Sequence, residues 1–114
     1  MTDTRIERDC LGEMAIPNDR YYGIQTTRML KISGAAGFPV IVYPDMHIAL
    51  CKIKKACALA NAEIGALKPE IAIAIEQACD KVVAGGFEKE FPLGMWQGGG
   101  YTCVNLNLRA FLGT

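Results

Sequence analysis

Pro44-Asp45-Met46-His47-Ile48-Ala49-Leu50-Cys51-Lys52-Ile53-Lys54-Lys55-Ala56-Cys57-Ala58-Leu59-Ala60-Asn61-Ala62-Glu63-Ile64 decides the fold class of this 114-residue chain. Met46, Leu50, Ile53, Cys57, Ala60 and Ile64 recur at steps of four, three, four, three and four, which is a helical stripe of heptad type. A helix is therefore expected from about Asp45, just after Pro44, with this stripe toward a core. Lys52, Lys54 and Lys55 fall off the stripe and read as a solvated face. Ala56, Ala58, Ala60 and Ala62 are small enough for another helix to come close. His47, the one histidine, has no second ligand at metal spacing and reads as a surface or boundary residue.

Working toward the C-terminus, Gly65 and Lys68-Pro69-Glu70 interrupt the pattern. Proline in a first helical turn beside an acid is a start signal. A second helix is expected from about Pro69 to Ala84, with Ile71, Ile75, Ala78, Cys79 and Val82 as its apolar stripe and Gly85-Gly86 as its stop. The two helices, each roughly 25 Å long at 1.5 Å per residue, should form an antiparallel hairpin. Phe87 to Glu90 is a charged connector. Then come Phe91-Pro92, three successive glycines (Gly98, Gly99, Gly100), Tyr101 and Thr102, and a proline-free run to Leu112 that reads as a short helix. Thr102 suits an N-cap. A glycine loop opening a helix presents free amides and the positive dipole end to a small anion; a plain structural turn is the alternative. Neither nucleotide pattern fits. A P-loop needs lysine and then Ser or Thr after its last glycine, and the dinucleotide pattern needs glycine where Cys103 stands.

Working toward the N-terminus, residues 31–44 read as a loop in which Val40-Ile41-Val42-Tyr43 is a short β-prone run between prolines. Residues 1–30 read as an extended, irregular arm punctuated by Gly12, Pro17, Asn18 and Gly23, with Ile6, Leu11, Met14 and Ile16 packing as brief strands. Tyr21 to Arg28 reads as a loop that packs at its aromatic end and presents hydroxyls and Arg28 at the other. The fold class is mainly α: a short-strand arm (1–44), a helical hairpin (45–86) and a Gly-rich region leading into a short helix (87–114), all in one domain.

Twelve basic residues balance twelve acidic ones. That argues against a nucleic-acid or membrane-surface partner, since both favour a basic excess. Cysteines at 10, 51, 57, 79 and 103 are odd in number and never spaced Cys-x-x-Cys, so neither a zinc site nor a disulfide framework is expected. Cys57 and Cys79 read as reduced, buried thiols in a cytoplasmic protein. The charged N-terminus has no apolar run behind it, and no signal peptide or membrane span is legible.

The stretch around the glycines resembles the first conserved region of the aspartase/fumarase superfamily, in Gln97-Gly98-Gly99, Thr102, Val104-Asn105 and Asn107. The resemblance extends through Arg5-Ile6-Glu7, Leu11-Gly12, Ile16-Pro17, Tyr21-Tyr22-Gly23, Thr26, Arg28, Lys54-Lys55-Ala56 and Leu59-Ala60-Asn61, in matching order over nearly the whole chain. The doubled glycine after Gln97 is more similar to the aspartate ammonia-lyase branch, while Phe91-Pro92-Leu93 and Trp96 favour class II fumarases. Members are several times longer, so the resemblance implies the N-terminal portion of such an enzyme. It also implies elimination of ammonia from L-aspartate to give fumarate, without cofactor or metal, in a homotetramer whose active sites are assembled from several subunits. Thr102 would bind a substrate carboxylate, Asn105 and Asn107 would shape the pocket with Gly99 and Gly100, and Thr26 and Arg28 would lie near the substrate, Arg28 as a bidentate carboxylate partner.

The family's catalytic base, a serine in Gly-Ser-Ser-x-Met-Pro-x-Lys-x-Asn, has no counterpart here, nor does the region carrying its threonine and histidine. The chain by itself is expected to bind without catalysing. Tyr101, Cys103, Arg109 and Ala110 depart from the family's usual glycine, serine, asparagine and glutamate. The reading from a different class is a non-catalytic helical module that associates through its helix stripes.

Overall fold

The computed structural model describes residues 3–33, 37–96 and 102–113. Strands β1 (Thr4–Asp9) and β2 (Gly12–Pro17) form an antiparallel hairpin with Arg5 opposite Ile16 and Glu7 opposite Met14. The turn between them is closed by Leu11 N–H donating to Asp9 Oδ1 at 2.9 Å, and Gly12 takes φ +113°, a backbone state that glycine adopts without a Cβ clash. Four helices follow among the described residues: α1 (Ile24–Ser33), α2 (Pro44–Glu63), α3 (Pro69–Ala84) and α4 (Thr102–Gly113). The fold is mainly α, as expected.

Helix α3 has the expected bounds. Proline opens it, and Gly85 and Gly86, at φ +90° and +92°, close it. Helix α2 starts one residue earlier than expected, with Pro44 in its first turn. The two pack against each other as the hairpin.

The buried face of α2 corrects the sequence reading. His47, Cys51 and Ala58 are buried, whereas Ile53, Cys57, Ala60 and Ile64 of the expected stripe are exposed. Helix α2 carries two apolar lines: one is buried, and of the other Leu50 packs against the core while the positions from Ile53 onward face out. Accordingly His47 is an interior residue, 2% exposed, and the Cys57 thiol is a surface group. On α3, Ala72, Cys79 and Val82 are buried, but Ile71 is exposed. Lys55 is half-buried and pairs across the hairpin with Glu76 (3.0 Å) and Asp80 (2.9 Å).

Two further corrections concern residues 21–44. The expected loop at Tyr21–Arg28 becomes helical from Ile24. The β-prone Val40-Ile41-Val42 is a 3-10 turn, stopped by Pro44. Pro39 forms an isolated antiparallel bridge with Gly94, and Val40 N–H donates to Leu93 O at 2.9 Å.

The core joins Cys51 of α2, Cys79 and Val82 of α3, Phe91, and Leu108 and Phe111 of α4. Phe87, Phe91 and Tyr21 pack around the Phe111 ring at centroid distances of 5.1, 5.9 and 5.3 Å. The Cys51 and Cys79 thiols contact each other across the hairpin, and burial pushes Cys51 up to about 12, so it stays an unreactive thiol.

Candidate functional site

The candidate site is built outward from β1. A strand alternates its faces, so Arg5, Glu7 and Asp9 share one face and turn inward, and each holds a different part of the chain. Arg5 pairs with Glu7 (2.8 Å) and donates to the carbonyls of Pro17, Arg20 and Tyr22 at 2.8–3.0 Å. Glu7 accepts the first amide of α1, Ile24 N–H, at 2.8 Å. A carboxylate there satisfies an otherwise unpaired donor and favours the helix dipole. Gly23 makes room for it: a Cβ there would come 2.9 Å from Glu7 Oε2.

Asp9 takes both arms of Arg28, at 2.8 and 2.7 Å, and Arg28 also donates to Gly12 O. The guanidinium holds the Asp9 carboxyl below its usual range, and Asp9 raises Arg28 in turn. Arg28 thus grips a carboxylate as its fork geometry suggests, but that carboxylate is the chain's own.

Glu90 is the second organising carboxylate. It is buried, and its side chain accepts Tyr21 N–H at 2.7 Å and Tyr22 N–H at 3.4 Å. Its backbone carbonyl accepts Asn107 Nδ2–H of α4 at 2.8 Å. One residue therefore fixes both the approach to α1 and the seating of α4, and these two helices pack together.

Thr102 is the first residue of α4 and exposed; Asn105, one turn on, is half-buried. The two share one side of the helix start. Asn107 is fully buried and anchored on Glu90, which makes it a seat for α4. Thr26 is 1% exposed, and its Oγ1 has no hydrogen-bond partner among the described residues. Gly99 and Gly100 lie outside the described residues.

A cleft of about 490 Å³ between β1, the start of α1 and α4 is lined by Asp9, Gly23, Gln25, Leu106 and Arg109. Its lining includes none of the side chains expected to bind substrate. No helix among the described residues is long and apolar enough to cross a membrane.

Sequence reading missed Arg5, Glu7, Asp9 and Glu90. The first three carried a signal: charged residues at period two in a strand with one face turned inward. Glu90 carried none, because its partners lie 17 and nearly 70 residues away.

Comparison with known proteins places this geometry. A family model described as "Lyase" matches residues 12–114. A class II fumarate hydratase of Thermosynechococcus vestitus is 45% identical over 109 residues, covering 94% of this chain and 22% of that protein. An aspartate ammonia-lyase of Pseudomonas aeruginosa is 39% identical over 107 residues, covering 94% of this chain and 23% of the relative. Among solved structures, the fumarate lyase:delta crystallin of Brucella melitensis superposes with a TM-score of 0.91 at 35% identity, over 96% of this chain and 26% of its own. The class II fumarase of Schistosoma mansoni superposes with a TM-score of 0.82 at 32% identity, over 96% and 23%. Fold and sequence together place the chain, mainly helical in build, in a lyase family. The chain belongs to the aspartase/fumarase superfamily of lyases, and it spans about a quarter or less of the length of the relatives it matches.

Proposed function

We propose that the chain supplies part of the substrate-carboxylate site of an aspartate ammonia-lyase, the enzyme that converts L-aspartate to fumarate and ammonia. The observation that carries this reading is the start of α4. Thr102 is its first residue, exposed, with Asn105 one turn on and no acidic residue in that turn. A hydroxyl and a side-chain amide beside a helix N-terminus suit an anionic four-carbon substrate. Such a site would stabilise the charge that develops when the carbon beside a carboxylate loses its proton. Gly99, Gly100 and Thr26 would complete the pocket, with Arg28 and Asn107 holding its walls.

Gln97-Gly98-Gly99 and Val104-Asn105 favour the aspartase reading. The second reading, a class II fumarase acting on fumarate and malate, is favoured by the 45% identity to the fumarate hydratase and by Phe91-Pro92-Leu93. In either case the whole enzyme is a cytoplasmic homotetramer, and the 114-residue chain binds without turnover because it holds no counterpart of the base.

The test is an amide-shift titration of the isotope-labelled chain with aspartate, fumarate and malate, repeated with Thr102→Ala. We expect saturable shifts at Thr102 and Asn105, little change at Asn107, and loss of the response in the variant. Stronger shifts with aspartate than with malate favour the aspartase reading, and the reverse order favours the fumarase. Absence of any shift at Thr102 with all three ligands overturns both.

A further inference from the structure

The outer face of the helical hairpin holds a groove that the lyase reading does not use. One lobe, about 450 Å³, lies between α2, α3 and α4, with apolar walls from Ile53, Leu67, Ile75 and Leu112 and two cations, Lys54 and Arg109. No acidic residue lines it. The second lobe, about 470 Å³, shares Ile75, Leu112 and Gly113 with the first and continues past Ile71, Ala74 and Phe111, with Glu70 at its edge. Together they make a continuous apolar trough along α3. From Ile71 to Ala78 its floor runs about 10 Å at 1.5 Å per residue.

The charges are placed asymmetrically. Lys55, next in sequence, is neutralised by Glu76 and Asp80. Lys54 and Arg109 have no carboxylate partner among the described residues. The trough therefore has two cations in its first lobe and a mainly apolar run leading away from them, with Glu70 at the far edge. Its walls include Ile53 and Ile71, which stand 58% and 46% exposed, so apolar surface remains to be covered.

We propose that this groove binds a medium-chain aliphatic carboxylate, its head between Lys54 and Arg109 and its alkyl chain along Ile75 and Leu112 toward Ile71. Charge complementarity selects the anion, because an uncharged or cationic amphiphile would gain nothing from the paired cations. The apolar run selects an alkyl chain over a small polar dicarboxylate, and volumes of this size accept a tail of about eight to ten carbons. The proposal stands apart from the lyase reading, since no lining residue is shared with Thr102, Asn105 or Thr26.

The experiment titrates the 114-residue chain with decanoate below its micellar range, reading amide shifts and heats of binding. Octanoate, decanol, decylammonium and acetate serve as comparisons. Decanoate is expected to shift Ile53, Ile75 and Leu112 saturably. Octanoate should bind about fourfold to fifteenfold more weakly for its two missing methylenes. Lys54→Gln and Arg109→Gln should each weaken decanoate binding by about fivefold while leaving the helical circular dichroism and the decanol response unchanged. Three results overturn the proposal: decanol binding as tightly as decanoate, a Lys54→Gln/Arg109→Gln double variant binding decanoate like the parent, or the same amides shifting with protein concentration alone. The last result would assign the groove to contact between copies of the chain.

Discussion

His47 gives the sharpest test of the core. It is the single histidine of the chain, 2% exposed, with its ring 4.5 Å from that of Phe91 in an edge-on contact and no hydrogen-bond partner for Nδ1 among the described residues. It lines a cavity of about 320 Å³ with Ile48, Val82, Phe87 and Glu88. Burial penalises the charged imidazolium and lowers the imidazole from 6.5 to about 4. In the unfolded chain the same ring protonates below pH 6.5. Between pH 6.5 and pH 4 the unfolded state therefore holds more protons, and stability falls as pH falls. At 1.36 kcal/mol per pKa unit, His47 alone should remove about 2 kcal/mol by pH 5 and about 3 kcal/mol by pH 4.

The carboxylates with lowered values, one of them in the same cavity, act at lower pH. Glu88, which accepts Gly86 N–H, and Asp9, bound to Arg28, have lowered values, so their contributions are present above the ordinary 4.5 and 3.8 and are lost only as pH falls through the folded values. The assay is urea unfolding followed by circular dichroism at pH 7, 6, 5 and 4.5 for the parent and His47→Phe, with the imidazole proton titrated by NMR. The parent should lose stability over this range, while the variant, with no imidazole to protonate, should stay nearly flat down to the carboxylate range. At pH 7 the variant should match or exceed the parent, because an unpartnered buried nitrogen is removed and the cavity can take the larger ring. Parallel curves, or a folded-state imidazole titrating near 6.5, would refute the burial argument.

Two further substitutions test the polar frame that seats α1 and α4. Asn107→Ala leaves the Glu90 carbonyl without its 2.8 Å donor inside the protein and should cost about 1–3 kcal/mol in urea unfolding; an unchanged midpoint would mean that Asn107 does not anchor α4. Gly23→Ala drives a Cβ to 2.9 Å from Glu7 Oε2 and should cost about 1–3 kcal/mol by displacing the carboxylate that caps α1. In a Glu7→Ala background the same change should cost markedly less, and an undiminished cost would place the strain elsewhere.

What could be read from the sequence follows from how local each cause is. The limits of α3 were legible because its start and stop are written in the chain: proline and glutamate at one end, two glycines at the other. Helix α1 was not, because Thr26 and Thr27 are indifferent helix formers and the group that caps the helix, Glu7, arrives from a strand 17 residues back. At the candidate site, the opening of a helix at Thr102 could be foreseen from the glycines and the hydroxyl. That Arg28 would be taken up by Asp9, and Asn107 by the Glu90 carbonyl, could not, since both partners depend on tertiary placement.

Helix α2 shows why periodicity stops short of packing. Met46, Leu50, Ile53, Cys57, Ala60 and Ile64 make a regular stripe, and periodicity alone puts it inside. The core instead takes the neighbouring line of His47, Cys51 and Ala58. The small side chains of Cys51 and Ala58 suit a close approach of α3, and Cys51 and Cys79 meet at the contact. Of the bulkier stripe, Leu50 packs against the core, while the part from Ile53 onward is left outward, where Ile53 forms one wall of the cationic groove. A helix with two apolar faces offers the chain two ways to bury surface, and the choice is made by what packs across from it. The face that loses is left exposed on this chain, which is why the strongest apolar pattern in this sequence leads to a groove on its surface and a histidine lies in the core.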